Sequence, residues 1–232
     1  MQINGIDIDE ILLKFKYFLD LEINEELTIN DIKIKFQTFS KEKLLLLGAG
    51  GTISSGYTPT DETIVPLSPS PAIKQLEYIK LFGISRSDYN NVDAFAKDSR
   101  DIDANDLLLL LKIIYMCPND RVFVTAGTYL LPKLAYITKL AMKMFKSNKV
   151  VVFTGSILPA GFMASDADAN VWSSITMINY LYKNNLSDVY LVFHGETYTS
   201  EDDLEKLDLH PYSMRKMVIQ YPLHTVPVYG IL

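Results

Sequence analysis

Two threonines that follow glycines are the residues of this chain best placed to do chemistry. Thr52 ends the run GAGGT at residues 48–52, and Thr128 follows Gly127 in the run TAGTY at residues 125–129. A threonine hydroxyl is a weak nucleophile and needs a neighbouring base to take its proton. Lys149, just before an apolar run, is the candidate for that base if burial lowers its pKa. The sequence therefore favours a threonine-centred site.

The glycines at 48 and 50 also suggest nucleotide binding, but the residues after them disfavour it. A dinucleotide fingerprint needs a third glycine where the following helix begins, and that position is Ile53. A stretch rich in proline and serine, residues 57–71, follows in place of an immediate helix. The lysine that a P-loop requires after its glycines is also missing. We therefore expect no nucleotide cofactor.

The sequence does not indicate a metal site or another nucleophile. The three histidines, His194, His210 and His224, are not at metal-ligand spacing, and no cysteine cluster accompanies them. The single cysteine, Cys117, has apolar neighbours and is expected to be a buried, inert thiol. A GxSxG nucleophile elbow is absent as well. We expect no metal and no cofactor.

Apolar strands and amphipathic helices alternate along the chain from about residue 43. Continuous apolar runs at 44–47, 121–125, 150–154 and 189–193 are typical of parallel strands covered on both faces. Helical patterns occupy residues 70–82, 104–116, 130–145 and 168–182. This order predicts an α/β fold: a doubly wound, mostly parallel, Rossmann-like sheet with right-handed crossovers, flanked by helices. Ligands of such sheets bind beyond the carboxyl ends of the strands.

Five motifs between about residues 44 and 204 together resemble the bacterial-type asparaginase family. GGTI at 50–53 resembles the first family signature, and DSRDI at 98–102 resembles its D-S-S-D-M or G-S-Q-D-M segment. TAGTY at 125–129 falls where the family has T/L-H-G-T-D-T, and residues 148–159 resemble K-P-V-V-x-T-G-S-x-x-P. Asp166 and Asn170 fit its S-A-D-G-x-x-N helix start. The resemblance implies the amino-terminal domain of that family.

The resemblance implies hydrolysis of the side-chain amide of L-asparagine or a related amide. Thr52 would be the nucleophile, and Tyr57 would be the loop tyrosine that helps to orient it. Thr128 would be the second essential threonine, coupled to Lys149. Ser99 would bind the α-carboxylate of the substrate.

Backbone groups complete the implied substrate site. Amides near Thr128 and in the Ser156 turn would stabilise an oxyanion. Gly51 and Gly127 would let the backbone approach the substrate closely.

Three positions depart from the family pattern. Tyr129 stands where the family has an aspartate that binds the α-ammonium of the substrate and completes a Thr-Lys-Asp relay. A phenol, whose pKa lies near 10, offers no negative charge at neutral pH. Ala126 replaces a histidine, and Arg100 replaces a small or amide residue, so that its guanidinium would fill part of the pocket. We therefore expect weak or absent activity on free asparagine.

The sequence divides into two regions. Residues 1–40 are predicted to be a helical extension, with one helix around Ile11 and Phe15 and a second capped by Asn30 or Asp31. This extension is either a packing appendage or a docking element for a partner. Residues 41–232 are predicted to be the asparaginase-like α/β domain, and we expect the second domain of the family to be absent.

Composition excludes some classes of partner. With 232 residues, 48% hydrophobic residues and a formal net charge of -6, the chain is typical of a globular protein without a basic stripe for nucleic acid. No apolar stretch approaches the ~18 residues of a membrane helix, and an acidic start is unlike a signal peptide. We expect a cytoplasmic protein whose partner is a small amide, with self-association open. It is either an amidohydrolase of altered activity or a non-catalytic binding or assembly subunit.

Overall fold

The computed structural model describes residues 2–3, 5–21, 26–29, 32–57, 64–66, 85–160 and 165–209. The strands are β1 (Gln2–Ile3), β2 (Ile6–Asp7), β3 (Glu26–Ile29), β4 (Ile32–Lys35), β5 (Leu44–Ala49), β6 (Ser55–Tyr57), β7 (Ile64–Pro66), β8 (Tyr89–Asp93), β9 (Arg121–Ala126), β10 (Val150–Thr154), β11 (Val189–Phe193) and β12 (Glu196–Tyr198). The helices are α1 (Ile8–Leu21), α2 (Ala104–Met116), α3 (Leu131–Met144), α4 (Ala167–Lys183) and α5 (Glu201–Lys206). None of these described helices is long and apolar enough to cross a membrane. The helix predicted at 70–82 lies outside the described residues.

A six-stranded sheet forms the centre of the fold, in the order β12-β11-β10-β9-β5-β8. Five of its strands are parallel, and only β12 pairs antiparallel, at one edge. Leu45 lies opposite Val122, and Phe123 lies opposite Val152, so the apolar runs align across the sheet. The doubly wound, mostly parallel sheet predicted from the sequence is confirmed.

Apolar side chains on both faces of the strands explain why these runs are continuous. On one face Leu45, Val124 and Phe153 pack with α2 and α3. On the other face Phe123 and Val152 pack with α4. Strands buried on both faces cannot alternate apolar and polar residues, which is why the sequence pattern reveals them.

The helix after β10 lies on the opposite face of the sheet from the two helices before it. α2 connects β8 to β9 and α3 connects β9 to β10, both on the face of Leu45, whereas α4 connects β10 to β11 on the face of Val152. All three connections move along the sheet in one direction, from β8 towards β12. The β10-to-β11 crossover therefore has the opposite hand to the other two. The expectation that every crossover is right-handed, which nearly all such units obey, is wrong here.

The amino-terminal region contains one predicted helix but not the second. β3 and β4 form an antiparallel pair, with Leu27 opposite Ile34 and Ile29 opposite Ile32. The helix capped by Asn30 or Asp31 is therefore wrong, because Ile32 and Ile34 alternate with lysines at the period of a strand.

The first helix packs against the main core. On α1 the side chains of Ile8, Ile11, Leu12 and Phe15 are buried. They belong to the same apolar cluster as α2 and the sheet face beneath it. Residues 5–21 thus form an additional layer over α2.

Candidate active site

The turns that follow β5 and β9 lie where the strand order of the sheet reverses. The chain passes from β5 to β8 on one side of β5, and then returns to β9 on the other side. In open α/β sheets, the crevice at the carboxyl ends of strands flanking such a reversal is the usual ligand site. The fold therefore directs attention to the turns after β5 and β9.

Two glycines bring these turns into contact. Gly51 has a positive φ of 83°, and a β-carbon there would clash with the backbone of Gly127. A β-carbon on Gly127 would lie 2.5 Å from the Ser99 hydroxyl oxygen. Because Thr52 and Thr128 directly follow these glycines, the structure brings both threonines and Ser99 to one place.

Hydrogen bonds brace the turn that carries Thr52. This residue begins a short 3₁₀ turn, Thr52–Ser54, and is half-buried. The Ser54 hydroxyl donates to the Gly50 carbonyl at 3.1 Å, and the Ser55 hydroxyl donates to the Gly51 carbonyl at 3.0 Å. These two hydrogen bonds hold the backbone around Thr52 in a fixed position.

Thr128 is more deeply buried, with 7% of its surface exposed. The γ-methyl of Thr128 lies 3.5 Å from the position that a β-carbon on Gly155 would take. The turn after β10 therefore contacts Thr128 on one side of β9, and the turn that carries Thr52 lies on the other side, after β5. Ala126, the other departure on this strand, is fully buried.

Arg100 does not fill the site as the sequence suggested. Its guanidinium donates to both carboxylate oxygens of Asp98, at 2.9 and 2.8 Å, and its side chain is 72% exposed. Hydrogen bonding to Asp98 also raises the pKa of Arg100, which stays charged. The interpretation as a pocket-filling residue is wrong, because this local ion pair turns the side chain into solvent. Tyr129, 45% exposed, lies close enough to Arg100 to interact with it electrostatically.

Lys149 lies at the amino ends of the parallel strands, whereas Thr128 lies beyond their carboxyl ends. It directly precedes β10, whereas Thr128 follows β9, and the two strands are parallel. The length of β10, about 17 Å, therefore separates them. The Lys149 ammonium donates to the carbonyl oxygens of Cys117 and Asn119, the latter at 3.0 Å. The prediction that Lys149 accepts a proton from the Thr128 region is wrong, since it instead binds the chain just after α2.

The Ser156 turn is likewise committed to structure. Ser156 is fully buried, and its hydroxyl donates to the Leu158 carbonyl at 2.6 Å. The amides of Ile157 and Leu158 both donate to the Asp166 carboxylate at 3.0 Å. These donors are occupied, so the predicted contribution of this turn to an oxyanion site is wrong for the Ser156 hydroxyl and these two amides.

A partly buried hydrogen-bond network joins the ends of β10 and β11 to the start of α4. The Asp166 carboxylate accepts from the Asn170 side-chain amide at 3.0 Å and lies 2.9 Å from His194 Nε2. Asn170 also donates to the Gly155 carbonyl and accepts from the His194 amide, both at 2.9 Å. The network fixes the point at which the chain crosses to the other face of the sheet.

The charge of Asp166 is favoured inside this network. Burial alone would raise the pKa of this carboxyl, but hydrogen bonds from His194, Leu158 and Ile157 outweigh it and hold the pKa below its usual value. A lowered pKa contributes stability above the unfolded value of about 4, and this contribution is lost as pH falls through the folded value.

Asp166→Asn is expected to lower the free energy of unfolding by about 1.5–3 kcal/mol at pH 7, because the donors around it, most of them partly buried, then lose a charged acceptor. Urea titrations from pH 7 down to pH 3 should show this deficit shrinking as acid protonates the wild-type carboxyl. Asp168→Asn, on the exposed side of the same helix, is the matched control and should stay within ±0.5 kcal/mol. A deficit that is constant across this pH range would contradict the assignment.

The remaining predicted site residue is Tyr57, of which only the backbone is described, in β6. Among the described residues, no group of three histidine, cysteine, aspartate or glutamate side chains is placed to hold a metal ion. Sequence reasoning missed Lys97, whose carbonyl accepts the Gly51 amide at 3.0 Å. The feature of the sequence that could have indicated it is its position shortly before the D-x-x-D capping pattern of Asp103 and Asp106.

Comparisons with known proteins agree with this architecture. The family model "Asparaginase, N-terminal" matches residues 43–213. An L-asparaginase of Thermococcus kodakarensis is 28% identical over 157 residues, which make up 65% of this chain and 44% of that protein.

Solved structures show the same fold. The thermostable L-asparaginase from Thermococcus kodakarensis has a TM-score of 0.52 at 27% identity, covering 68% of this chain and 45% of that one. A probable cytoplasmic L-asparaginase from Campylobacter jejuni has a TM-score of 0.55 at 20% identity, covering 68% and 46%. The chain spans less than half the length of these proteins.

Proposed function

Because this chain belongs to the asparaginase family through its amino-terminal asparaginase domain, we propose that it is an asparaginase-type amidohydrolase acting on the side-chain amide of L-asparagine or a related amide. The observation that supports the proposal is the contact of the Gly51 turn with the Gly127 turn and Ser99. This contact gathers Thr52, Thr128 and Ser99 at the strand-order reversal.

The proposed chemistry proceeds in two steps. The Thr52 hydroxyl oxygen attacks the amide carbon, the C–N bond breaks, and the hydroxyl proton leaves with the amine as ammonia. Water then hydrolyses the threonine ester, which releases the carboxylic acid and restores the hydroxyl. Thr128 assists as the second threonine, Tyr57 orients Thr52, and Ser99 binds a carboxylate of the substrate. Threonine and water supply both nucleophiles, so these steps need no metal or cofactor.

Thr52→Ala is expected to reduce ammonia release to the uncatalysed background, because the nucleophile is removed. The measurement is ammonia release from L-asparagine, L-glutamine and simple amides by wild type and variant. Thr138→Ala is the matched control, since Thr138 is a buried threonine whose hydroxyl donates to the Leu134 carbonyl within α3. It should cost about 0.5–1.5 kcal/mol of stability and keep the activity. Equal activity in Thr52→Ala and wild type would refute the proposed nucleophile.

A non-catalytic binding or assembly subunit is the second candidate. The observation that favours it is the position of Lys149 at the amino end of β10, far from the proposed site, where it cannot act as the predicted proton acceptor. Absence of ammonia release from every amide, together with saturable binding of L-aspartate measured by calorimetry, would support this candidate.

We also propose a cytoplasmic location. Cys117 is buried and unpaired, and its environment raises the pKa of the thiol chiefly through burial. A chain whose one cysteine forms no disulfide suits a reducing compartment.

A further inference from the structure

We infer that Lys97 is a positioning residue of the proposed active site, because its ion pair with the start of α2 holds residues 97–99 against both glycine turns. The consequence for catalysis rests on the proposed function. The positioning of residues 97–99 by Lys97 depends only on the contacts described next, and hydrogen exchange tests it separately.

The backbone of Lys97 lies directly against the turn that carries Thr52. The Lys97 carbonyl accepts the Gly51 amide at 3.0 Å. A β-carbon on Gly50 would clash with the Lys97 backbone. Gly50, like Gly51, has a positive φ, at 67°. The turn after β5 is thus seated on Lys97, and any displacement of Lys97 displaces Thr52.

The side chain of Lys97 ties this backbone to α2. Its ammonium donates to both carboxylate oxygens of Asp106, at 2.9 and 2.7 Å. The Asp106 side chain is only 10% exposed, and it also accepts the Asp103 amide at 2.9 Å in the capping box of α2. Hydrogen bonding to Asp106 raises the pKa of Lys97, so Lys97 is charged at neutral pH.

Two residues further on, the same segment reaches the second turn. Ser99 is buried and packs on Gly127, whose β-carbon position lies 2.7 Å from the β-carbon of Ser99. Residues 97–99 therefore contact the Thr52 turn with one residue and the Thr128 turn with another. The segment braces both threonine turns.

An exposed lysine in an ion pair usually contributes little, because solvent screens both charges. The pair of Lys97 and Asp106 differs, since the carboxylate is almost fully buried and serves the helix cap as well. Removing the lysine leaves a buried charge without its cation. Residues 97–99 then lose their anchor to α2.

Lys97→Met, which keeps the length of the side chain, is expected to speed hydrogen exchange at the Gly51 amide by about tenfold or more, the factor that ~1.4 kcal/mol of local stability represents. Exchange of the Val124 and Val152 amides, in the core strands, is the internal reference and should not speed up in parallel. Lys97→Arg should restore slow exchange, because a guanidinium can bind both oxygens of Asp106. Lys143→Met removes an exposed ion pair with Glu201 and should leave the Gly51 amide unchanged.

In the ammonia-release assay, Lys97→Met is expected to lower kcat about 10- to 100-fold with a smaller change in KM, as a displacement near 1 Å does. Unchanged exchange at Gly51 overturns the inference whatever the activity. Faster exchange with wild-type kcat overturns it as well. If wild type releases no ammonia, the proposed function fails, and exchange at Gly51 and Gly127 still decides whether Lys97 positions the two turns.

Discussion

Free L-asparagine is expected to be hydrolysed slowly by the wild-type chain, and Tyr129→Asp is expected to speed that reaction. Tyr129 follows Thr128 directly and is 45% exposed, so its side chain lies at the mouth of the proposed site. The side chain of Tyr129 offers no carboxylate to pair with the ammonium of a free amino acid. Loss of one partner of a charged hydrogen bond costs about 2–5 kcal/mol, which is roughly 30- to several-thousand-fold in affinity or rate.

The substitution should recover part of this loss, at least about tenfold in kcat/KM. Arg100 limits the gain, because its positive charge lies near enough to Tyr129 to act on a new carboxylate there. Combining Tyr129→Asp with Arg100→Gln should therefore raise kcat/KM further.

Ammonia release at subsaturating and saturating L-asparagine is the measurement. Tyr180→Asp, at an exposed tyrosine of α4, is the matched control and should leave activity unchanged. Wild-type turnover in the ordinary range of about 1–10³ s⁻¹, abolished by Thr52→Ala, would show that tyrosine replaces the carboxylate.

Phe15→Ala is expected to lower the free energy of unfolding by about 3–5 kcal/mol, the usual cost of removing a buried aromatic side chain. Phe15 is 1% exposed, and its ring packs edge-on against Tyr115 at 5.8 Å and Phe145 at 5.3 Å. These contacts bind α1 to α2 and to the end of α3. The loss is large beside the total stability of about 5–15 kcal/mol that is usual for folded proteins.

Urea unfolding gives this free energy, and the melting temperature should fall by roughly 6–20 °C. Tyr17→Ala is the control on the same helix, because Tyr17 is 66% exposed. It should change stability by no more than about 0.5 kcal/mol. Deleting residues 1–21 should destabilise the chain at least as much as Phe15→Ala. A truncated chain that melts like wild type would instead identify α1 as a dispensable appendage.

Most of the sheet was predictable because burial on both faces leaves a clear trace in the sequence. The predicted bounds of β10, β11 and α2 agree with the structure to the residue. The edge strand β8 was missed, since its residues YNNVD are mostly polar and half-buried. β12, ETY at the other edge, was missed because it has only three residues and is mostly exposed.

The handedness of a crossover is not readable from local pattern. It depends on which face of the sheet a helix covers, and α3 and α4 are both amphipathic. The buried contacts of Asp166, Asn170 and His194, which start α4 on its side, join residues up to 28 positions apart. Such contacts are set by the tertiary fold.

The candidate site was predictable in part. The contact of the Gly51 and Gly127 turns follows from topology, because both turns end neighbouring parallel strands. The error at Lys149 was avoidable by the same rule, since a residue that precedes a parallel strand lies at its amino edge. Lys97 was harder to find, because its role depends on a turn 46 residues earlier.

The unusual path of the chain after β10 has a consequence for how the protein opens. α4 is the described helix that covers the sheet face of Leu46, Phe123 and Val152, whereas α1, α2 and α3 share the other face. The buried apolar side chains of α4 form a cluster separate from that of α1–α3, so α4 can detach as a cooperative unit without unfolding the rest. In native-state exchange at low denaturant, amides of Val171, Ile175 and Ile178 should therefore form an isotherm of their own, below that of the α1–α3 layer.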